Sequence, residues 1–380
     1  MKRYEPIGKY IHLTDTRNSD LSVKNLVGLT IEKRYIPSVA NVIGTDLSKY
    51  KVIKHGQFAC SLMQVSRDGK MPVAMFKGKP SIMSPAYPIF EVIDDKKLMP
   101  EYLHMYLSRP EFDREAVFRA VGGVRGSLDW EDFLSMKLPV PDIDEQRKIV
   151  AEYQVIEQRI ENNNRLIKTL EDTAQAIYHH TFVENIDQDN LPEGWKWGTV
   201  ADFCVKMTSG GTPDRAVNSY WDRNDYRWLK TGEVHNNVVL DTEESISQDG
   251  LDNSSAKLIP KGSITVAMYC ANGVTGGQVA YLNCDTTTNQ ACCNMLCKNK
   301  LDASYLFFYF INRQEEIKRL ANGAAQANLN QKIIAEQKII LFDDDIIKNK
   351  FETILNKQIL LYQENDILNR IKNLLIAKLS

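Results

Sequence analysis

EQRKIVAEYQVIEQRIENNNRLIKTLEDTAQAIYHHTF, residues 145–182, is the stretch that decides the architecture. Ile149, Tyr153, Ile156, Ile160, Asn163, Ile167, Leu170, Ala174, Ile177 and Thr181 alternate steps of four and three. That is the a/d spacing of a helix that packs along another helix. Pro139 and Pro141 precede the run, and Asp142 or Asp144 is placed to cap its first turn. At ~1.5 Å per residue, about forty residues make a rod of roughly 60 Å. A rod with one long apolar seam needs a partner to cover it.

The C-terminus offers that partner. Asp343-Asp344-Asp345 is an acidic first turn, suited to the positive end of a helix dipole. Ile347, Phe351, Ile354, Gln358, Leu361, Asn365, Leu368, Leu375 and Leu379 follow a similar spacing, interrupted by Lys372. The residues expected to form the helix seam and to dock partners are Ile149, Tyr153, Ile156, Ile160, Ile167, Leu170, Phe351, Ile354, Leu361 and Leu368. Asn163 and Asn365 interrupt the apolar seams, either fixing the register at some cost in stability or sitting as tolerated, hydrated positions.

Outward from the helices the chain reads as globular. Its 380 residues suggest two to three domains, and 43% apolar with 25% charged residues exclude a disordered or fibrous chain. The net charge of −2 conceals a pattern. Residues 1–141 carry +5, 142–190 carry −6, 191–342 carry −1, and 343–380 are neutral. Local field, not total charge, steers partners. The seven cysteines contain no C-x-x-C pair and read as reduced thiols, and MKRYEPIGKY has no apolar core of a signal peptide, so a cytoplasmic protein is expected. The uncharged stretch Gly262–Cys284 is punctuated by Gly273, Gly276 and Gly277 and by Asn272, Gln278 and Asn283, which predicts strand–turn–strand instead of a membrane span.

The chain also repeats itself. GGVRGSLDWEDFLSMKLPVPD, residues 122–142, aligns with GAAQANLNQKIIAEQKIILFD, residues 323–343, and each block runs into a long helix. YLHMYL at 102–107 parallels YLFFYF at 305–310, Ile53-Lys54-His55-Gly56 parallels Ile259-Pro260-Lys261-Gly262, and Ile7 and Tyr10 parallel Val200 and Phe203. The common order implies domain–helix–domain–helix, the second half a diverged copy of the first. If the helices pack antiparallel, the two lobes are related by a pseudo-two-fold, as suits two DNA half-sites about one helical turn, ~34–36 Å, apart.

Here the sequence resembles a known family, the specificity (S) subunits of type I restriction–modification systems. LPVPDIDEQRKIVAEY (138–153) looks like the family's entry to its first conserved helix, and LPEGWKWGTV (191–200) like the opening of its second target-recognition domain. SGGTPDRAVNSYWDRNDYRWLKTGEV (209–234) and NGVTGGQVAYLNCDTTTNQA (272–291) are similar to recurring recognition-domain motifs. The first lobe lacks an LPEGW-like opening, its glycine-rich counterpart SLMQVSRDGKMPVAMFKGKPSIMS is diverged, and the second repeat has Leu341-Phe342 in place of Val140-Pro141. The resemblance implies an α+β fold of two similar target-recognition domains, 1–141 and 191–342, separated by two long antiparallel α-helices, 142–184 and 343–380. It implies a non-catalytic subunit that reads double-stranded DNA at a bipartite site. Two methyltransferase subunits that use S-adenosylmethionine would dock on it, a motor-nuclease subunit would join for restriction, and no cofactor or membrane would bind this chain.

Phosphate contacts call for Lys and Arg, and base reading for Arg, Lys, Asn, Gln, Ser or Thr. The candidates are Arg17, Lys33, Arg34, Gln64, Arg67, Lys70 and Arg125 in the first lobe. In the second they are Thr212, Arg215, Arg223, Lys230, Asn272, Gln290, Gln326 and Asn328. Arg67-Asp68-Gly69-Lys70 reads as the polar turn of a groove-entering hairpin, and Gly122–Ser127 as a flexible basic loop. Trp221 and Trp228, with Tyr220 and Tyr226, could stack on bases, although core packing is the favoured reading.

Catalytic signatures are missing: there is no [N/D]-P-P-[Y/F] tetrapeptide, no phosphate-binding G-x-x-x-x-G-K-[S/T] loop and no G-x-S-x-G elbow. Pro213-Asp214 with Glu316-x-Lys318 mimics a nuclease motif only at a separation that chance supplies. Cys292, Cys293 and Cys297 lack zinc spacing and a neighbouring His. A coiled-coil scaffold whose lobes bind protein or small ligands is the rival reading.

Overall fold

The computed structural model describes residues 4–38, 44–63, 65–121, 126–269, 276–321 and 328–379. The chain forms two compact units, residues 1–159 with 368–380, and residues 160–367. Each long helix therefore contributes to both units, whereas the sequence boundaries treat the helices as separate segments.

The first unit contains β1 (Tyr4–Pro6), β2 (Ile11–Thr14), β3 (Phe58–Cys60), the single-turn α1 (Val65–Asp68), β4 (Val73–Met75), β5 (Ile89–Val92), α2 (Pro100–Leu107), α3 (Pro110–Ala120), β6 (Lys137–Pro139) and the start of α4 (Ile143–His179). Four strands make an antiparallel sheet in the order β2-β5-β3-β4. All three residues of β3 are buried, because side chains alternate between two covered faces. Phe58 and Cys60 join the core under α2 and α3, while Ala59 joins a second core with Ile53, Met83 and Ile89. Pro100 and Pro110 start α2 and α3 at positions where the missing N–H costs nothing.

The second unit contains β7 (Lys196–Thr199), β8 (Lys206–Ser209), β9 (Ile264–Ala267), β10 (Val279–Leu282), β11 (Cys292–Leu296), α5 (Lys300–Arg319), β12 (Lys338–Leu341) and α6 (Asp345–Ala377). Its antiparallel core runs β8-β11-β9-β10, the same order as in the first unit. A fifth strand, Asn237–Val239, adds parallel to β10. The uncharged stretch 262–284 contributes β9 and β10, which pair antiparallel.

The repeat extends to individual hydrogen bonds. In the first unit β1 pairs antiparallel with β6, and in the second β7 pairs antiparallel with β12. Ile7 N donates to Met136 O at 2.8 Å, and Val200 N to Gln337 O at 2.9 Å. Tyr102 and Tyr106 donate to the carbonyls of Pro139 (3.0 Å) and Lys137 (2.6 Å). Tyr305 and Tyr309 donate to those of Ile340 (3.4 Å) and Lys338 (2.9 Å). The tyrosines of the YLHMYL and YLFFYF motifs thus clamp the strand that leads into each long helix.

Of the two candidate caps of α4, Asp142 is the one used: its Oδ1 accepts from Glu145 N at 3.0 Å. Asp344 does the same for Ile347 N at 3.1 Å. The first helix keeps α geometry to His179, and residues His180–Glu184 form a π-helical turn. Within the second unit the helices run antiparallel, Asn163 lying opposite Asn365 and Ile167 opposite Gln358. Asn163 is fully buried, and its side chain bonds across the helix pair. Its Nδ2 donates to Asn365 Oδ1 (2.9 Å) and Glu364 Oε2 (3.0 Å), and Asn365 Nδ2 donates to Asn164 Oδ1 (2.9 Å). Within the first unit Lys372 lies over the Tyr153 ring and reaches Glu157, so a long stem covers the seam where the apolar repeat lapses. No helix among the described residues is long and apolar enough to cross a membrane.

Candidate nucleic-acid interface

In each unit the connection between the third and fourth strands of the sheet order (β3 to β4, β9 to β10) meets the segment that precedes a short helix, Trp130–Ser135 in the first unit and Gln331–Ala335 in the second. In the first unit Leu128 N donates to Leu62 O at 2.9 Å. In the second, Leu329 N donates to Met268 O at 2.8 Å, and Tyr269 bridges Asn328. These ties set two loops side by side at equivalent places. Arg67 and Lys70 stand on the first-unit β3–β4 connection, and Asn328 stands at the second-unit tie.

The β3–β4 loop contains the helical turn α1, not the plain hairpin turn the sequence suggests. Gly69 ends that turn at φ +67°. Arg67 is exposed and holds Asp68 at 2.7 Å, and Lys70 is exposed beside it. Gly126 lies against α1, next to Ser66, at φ +71°, a left-handed backbone conformation that favours glycine. Gln64, Arg125, Asn272 and Gln326 lie outside the described residues.

In the second unit the Ser209–Thr212 segment lies along strand Thr287–Thr288, with Gly211 N donating to Thr288 O at 2.8 Å. A Cβ on Gly210 would fall 2.1 Å from Thr288 O, which explains the paired glycines. Thr212 hydrogen-bonds Gln290, and Ala291 O accepts from Met268 N, so both side chains reach the base of the loop pair. The Arg215 guanidinium lies 3.6 Å from the Trp221 ring centroid and 4.7 Å from that of Trp228, and pairs with Glu244. Lys230 reaches Glu243 (2.8 Å) and Glu244 (2.9 Å), whose hydrogen bonds hold its ammonium above the ordinary range. Thr212, Arg215, Lys230 and Gln290 are thus linked through one segment, whereas Arg223 stands apart, exposed and paired with Asp225. Trp228 is buried, donates to Gly211 O at 3.0 Å and meets Trp221 edge-on at 5.0 Å, which is core packing.

Three first-unit candidates fall elsewhere. Lys33 sits at φ +60° in a turn, its ammonium enclosed between Asp113 (2.8 Å) and Leu107 O (2.6 Å). Burial outweighs the Asp113 attraction and lowers its pKa. Its side chain is 10% exposed, so it braces the start of α3 and has no free ammonium to offer a phosphate. Arg34 is exposed on the same turn, and Arg17 is tied to Lys49 O and Asp15. Arg114, unremarked in the sequence, shares the shallow cleft of Lys70 and pairs with Glu111. Lys257, equally unremarked, donates to Thr208 Oγ1 at 2.9 Å beside the Ser209–Thr212 segment. Periodicity carries no sign of either, because both follow from tertiary contacts.

Among the described residues no group of His, Cys, Asp or Glu is arranged to hold a metal ion. Burial raises the thiol pKa values of Cys60, Cys292 and Cys293, that of Cys292 to about 12, which keeps them protonated and unreactive.

Paired lobes, each with two loops anchored together at the end of a small sheet and each sealed onto a long helix, define a modular recognition protein. Residues 192–374 match the family model of the type I restriction modification DNA specificity domain. The chain is 22% identical to the HindI specificity subunit of Haemophilus influenzae, over 74% of this chain and 77% of that protein. It is 24% identical to the EcoR124I/EcoR124II specificity subunit of Escherichia coli, over 74% and 69%. Among solved structures, the S subunit of a type I restriction–modification system from M. genitalium superposes over 100% of this chain and 96% of its own with a TM-score of 0.55, at 15% identity. Residues 192–374 thus carry a type I restriction modification DNA specificity domain, and the chain as a whole is similar to type I specificity subunits.

Proposed function

We propose that this chain directs a type I adenine-N6 methyltransferase and restriction complex to a bipartite DNA site, each lobe reading one half-site through its paired loops. The observation that carries this reading is the equivalence of the two loop pairs, tied by the same backbone bond, with Arg67 and Lys70 exposed beside the first tie and Thr212 and Gln290 at the base of the second. Exposed cations held by carboxylates, such as Arg67–Asp68 and Arg215–Glu244, can exchange those partners for phosphate. The two long helices set the unread spacer.

Partner subunits dock on the helices. The segment 142–190 carries a net charge of −6, and large apolar side chains stand exposed on both rods: Val155 and Leu166 on α4, and Leu360, Ile367 and Leu374 on α6. Two methyltransferase subunits would occupy these faces, with a motor-nuclease subunit joining for restriction. S-adenosylmethionine would be bound by the methyltransferase, and this chain would need no cofactor.

The test is a methylome. The chain is co-expressed with its cognate methyltransferase in a host without adenine methylation, and N6-methyladenine is mapped by long-read sequencing. A single two-part motif with a fixed gap is expected. An assembled complex that marks no motif would overturn the reading in favour of a scaffold.

A further inference from the structure

The sheet of the second unit ends differently from that of the first. Among the described residues the first sheet stops at β4, whereas the second gains strand Asn237–Val239 beyond β10. That strand runs parallel to β10 with Asn237 opposite Ala280, so its first residues lie at the same end of the sheet as the paired loops. Asn236 makes the turn into it at φ +57°, a left-handed backbone that asparagine tolerates better than most residues. Its side chain holds the turn: Nδ2 donates to Gln314 Oε1 at 2.7 Å, and Oδ1 accepts from Val279 N at 3.1 Å.

This turn brings His235 to Gln278. The His235 backbone N–H donates to Asn237 Oδ1 at 2.8 Å, and its ring Nδ1 lies 3.4 Å from Gln278 Oε1. Gln278 O accepts from Ala267 N at 2.9 Å, so Gln278 stands opposite the neighbour of Met268, whose carbonyl accepts the tie from Leu329. Met268 N in turn donates to Ala291 O, next to Gln290. A polar row therefore crosses this end of the sheet, with Thr212 and Gln290 on one side of Met268 and Gln278 and His235 on the other. His235 is exposed and Gln278 half-buried. A ring N–H at Nδ1 donates to Oε1 and fixes which way the amide faces. Oε1 keeps a second lone pair and Nε2 keeps its hydrogens, the acceptor and donor that match N6 and N7 of adenine in the major groove.

We propose that Gln278 reads an adenine in the half-site of the second unit, with His235 as its positioning residue. The proposal rests on the reading of DNA by the lobes, and it adds to the second lobe a contact that the first has no fifth strand to support.

The test uses the complex assembled with the cognate methyltransferase. Its methylome gives the motif, and competition binding to duplexes with every single-base change in the second half-site gives the preference at each position. At one position other than the methylated adenine, the wild type should prefer adenine by about tenfold or more. Gln278→Ala should erase that preference, and Gln278→Glu, an acceptor suited to cytosine N4, should shift it to cytosine. His235→Leu should weaken it, and His235→Asn, which keeps a donor near the place of Nδ1, should restore it. The first half-site and the gap should stay unchanged in all four variants, and thermal melts confirm that each is folded. A wild-type complex that marks no motif would overturn the reading of DNA by the lobes and this contact with it. A wild-type motif that Gln278→Ala leaves unchanged would overturn this contact alone. So would an equal loss of affinity for every sequence, which would make Gln278 a phosphate contact. His235→Asn as poor as His235→Leu would remove His235 from the positioning role.

Discussion

At the scale of single residues, buried polar groups decide where this protein is vulnerable. Asn163 and Asn365 hold each other across the helix pair inside a desolvated seam. Asn163→Ala leaves the Asn365 Oδ1 acceptor without its donor and should cost about 1–3 kcal/mol. Replacing both with leucine removes the donors and acceptors together and should recover most of that loss. Thermal melts of the two variants check this, and a double variant weaker than the single would refute it. The ion pair of Lys33 and Asp113 follows the same logic: Asp113→Ala leaves a buried ammonium unpaired and should cost roughly 3–5 kcal/mol. His104 carries a pH dependence. Burial, the largest cause, lowers its pKa from 6.5 to about 4, and its enclosed Nδ1 has no partner. The unfolded chain therefore binds a proton between those values that the folded chain refuses. Stability is full above about pH 6.5 and falls as pH drops toward 4, by up to about 3 kcal/mol. His104→Leu removes the titration and should flatten the melting temperature across that window; an unchanged slope would assign the pH dependence to other groups.

At the scale of elements, a helix pair that set the unread spacer, as proposed, would be a ruler graduated in heptads. The seam passes from Asn163 and Ile167 on α4 to Asn365 and Gln358 on α6, so lengthening one helix alone would separate the asparagines. A seven-residue insertion after Arg165, matched by one after Leu361, preserves the phase of both seams. It adds about 10 Å of rod, the rise of roughly three base pairs. The methylated motif should then keep both half-sites and gain about three unread base pairs, and an unchanged gap would sink the ruler. These helices were legible in the sequence because a 3.5-residue repeat survives substitution position by position. The reading missed Tyr178, Phe182, Leu355 and Ile359, which are buried against the second unit's own core. Such contacts add a second apolar stripe that an a/d template does not contain. The loops were legible as polar, glycine-bearing interruptions between apolar runs. Lys33 was not, because nothing around a lysine announces that an aspartate eighty residues onward will enclose it. The clustering of Thr212 with Gln290 was equally invisible, since it follows from glycines that let distant segments touch.

At the scale of the whole molecule, duplication makes specificity separable. Each unit has its own four-stranded core, its own tyrosine clamp and its own loop pair, and each hydrophobic core is complete within its unit. Damage to one reading surface should therefore leave the other intact. Arg67→Ala with Lys70→Ala removes two exposed cations from the first-unit loop without touching a buried group. In the assembled methyltransferase complex, one lost phosphate contact should lower the slope of log affinity against log salt by about one, uniformly across sequences. A lost base contact should instead relax one position of the motif by about 1–3 kcal/mol of discrimination. Either effect must appear in one half-site only. Thr212→Ala with Gln290→Ala tests the second unit in the same way, and should alter the other half-site alone. If both pairs of substitutions blurred the same half, or both halves together, the lobes would not read independently. The internal repeat would then reflect shared ancestry of structure without a division of labour.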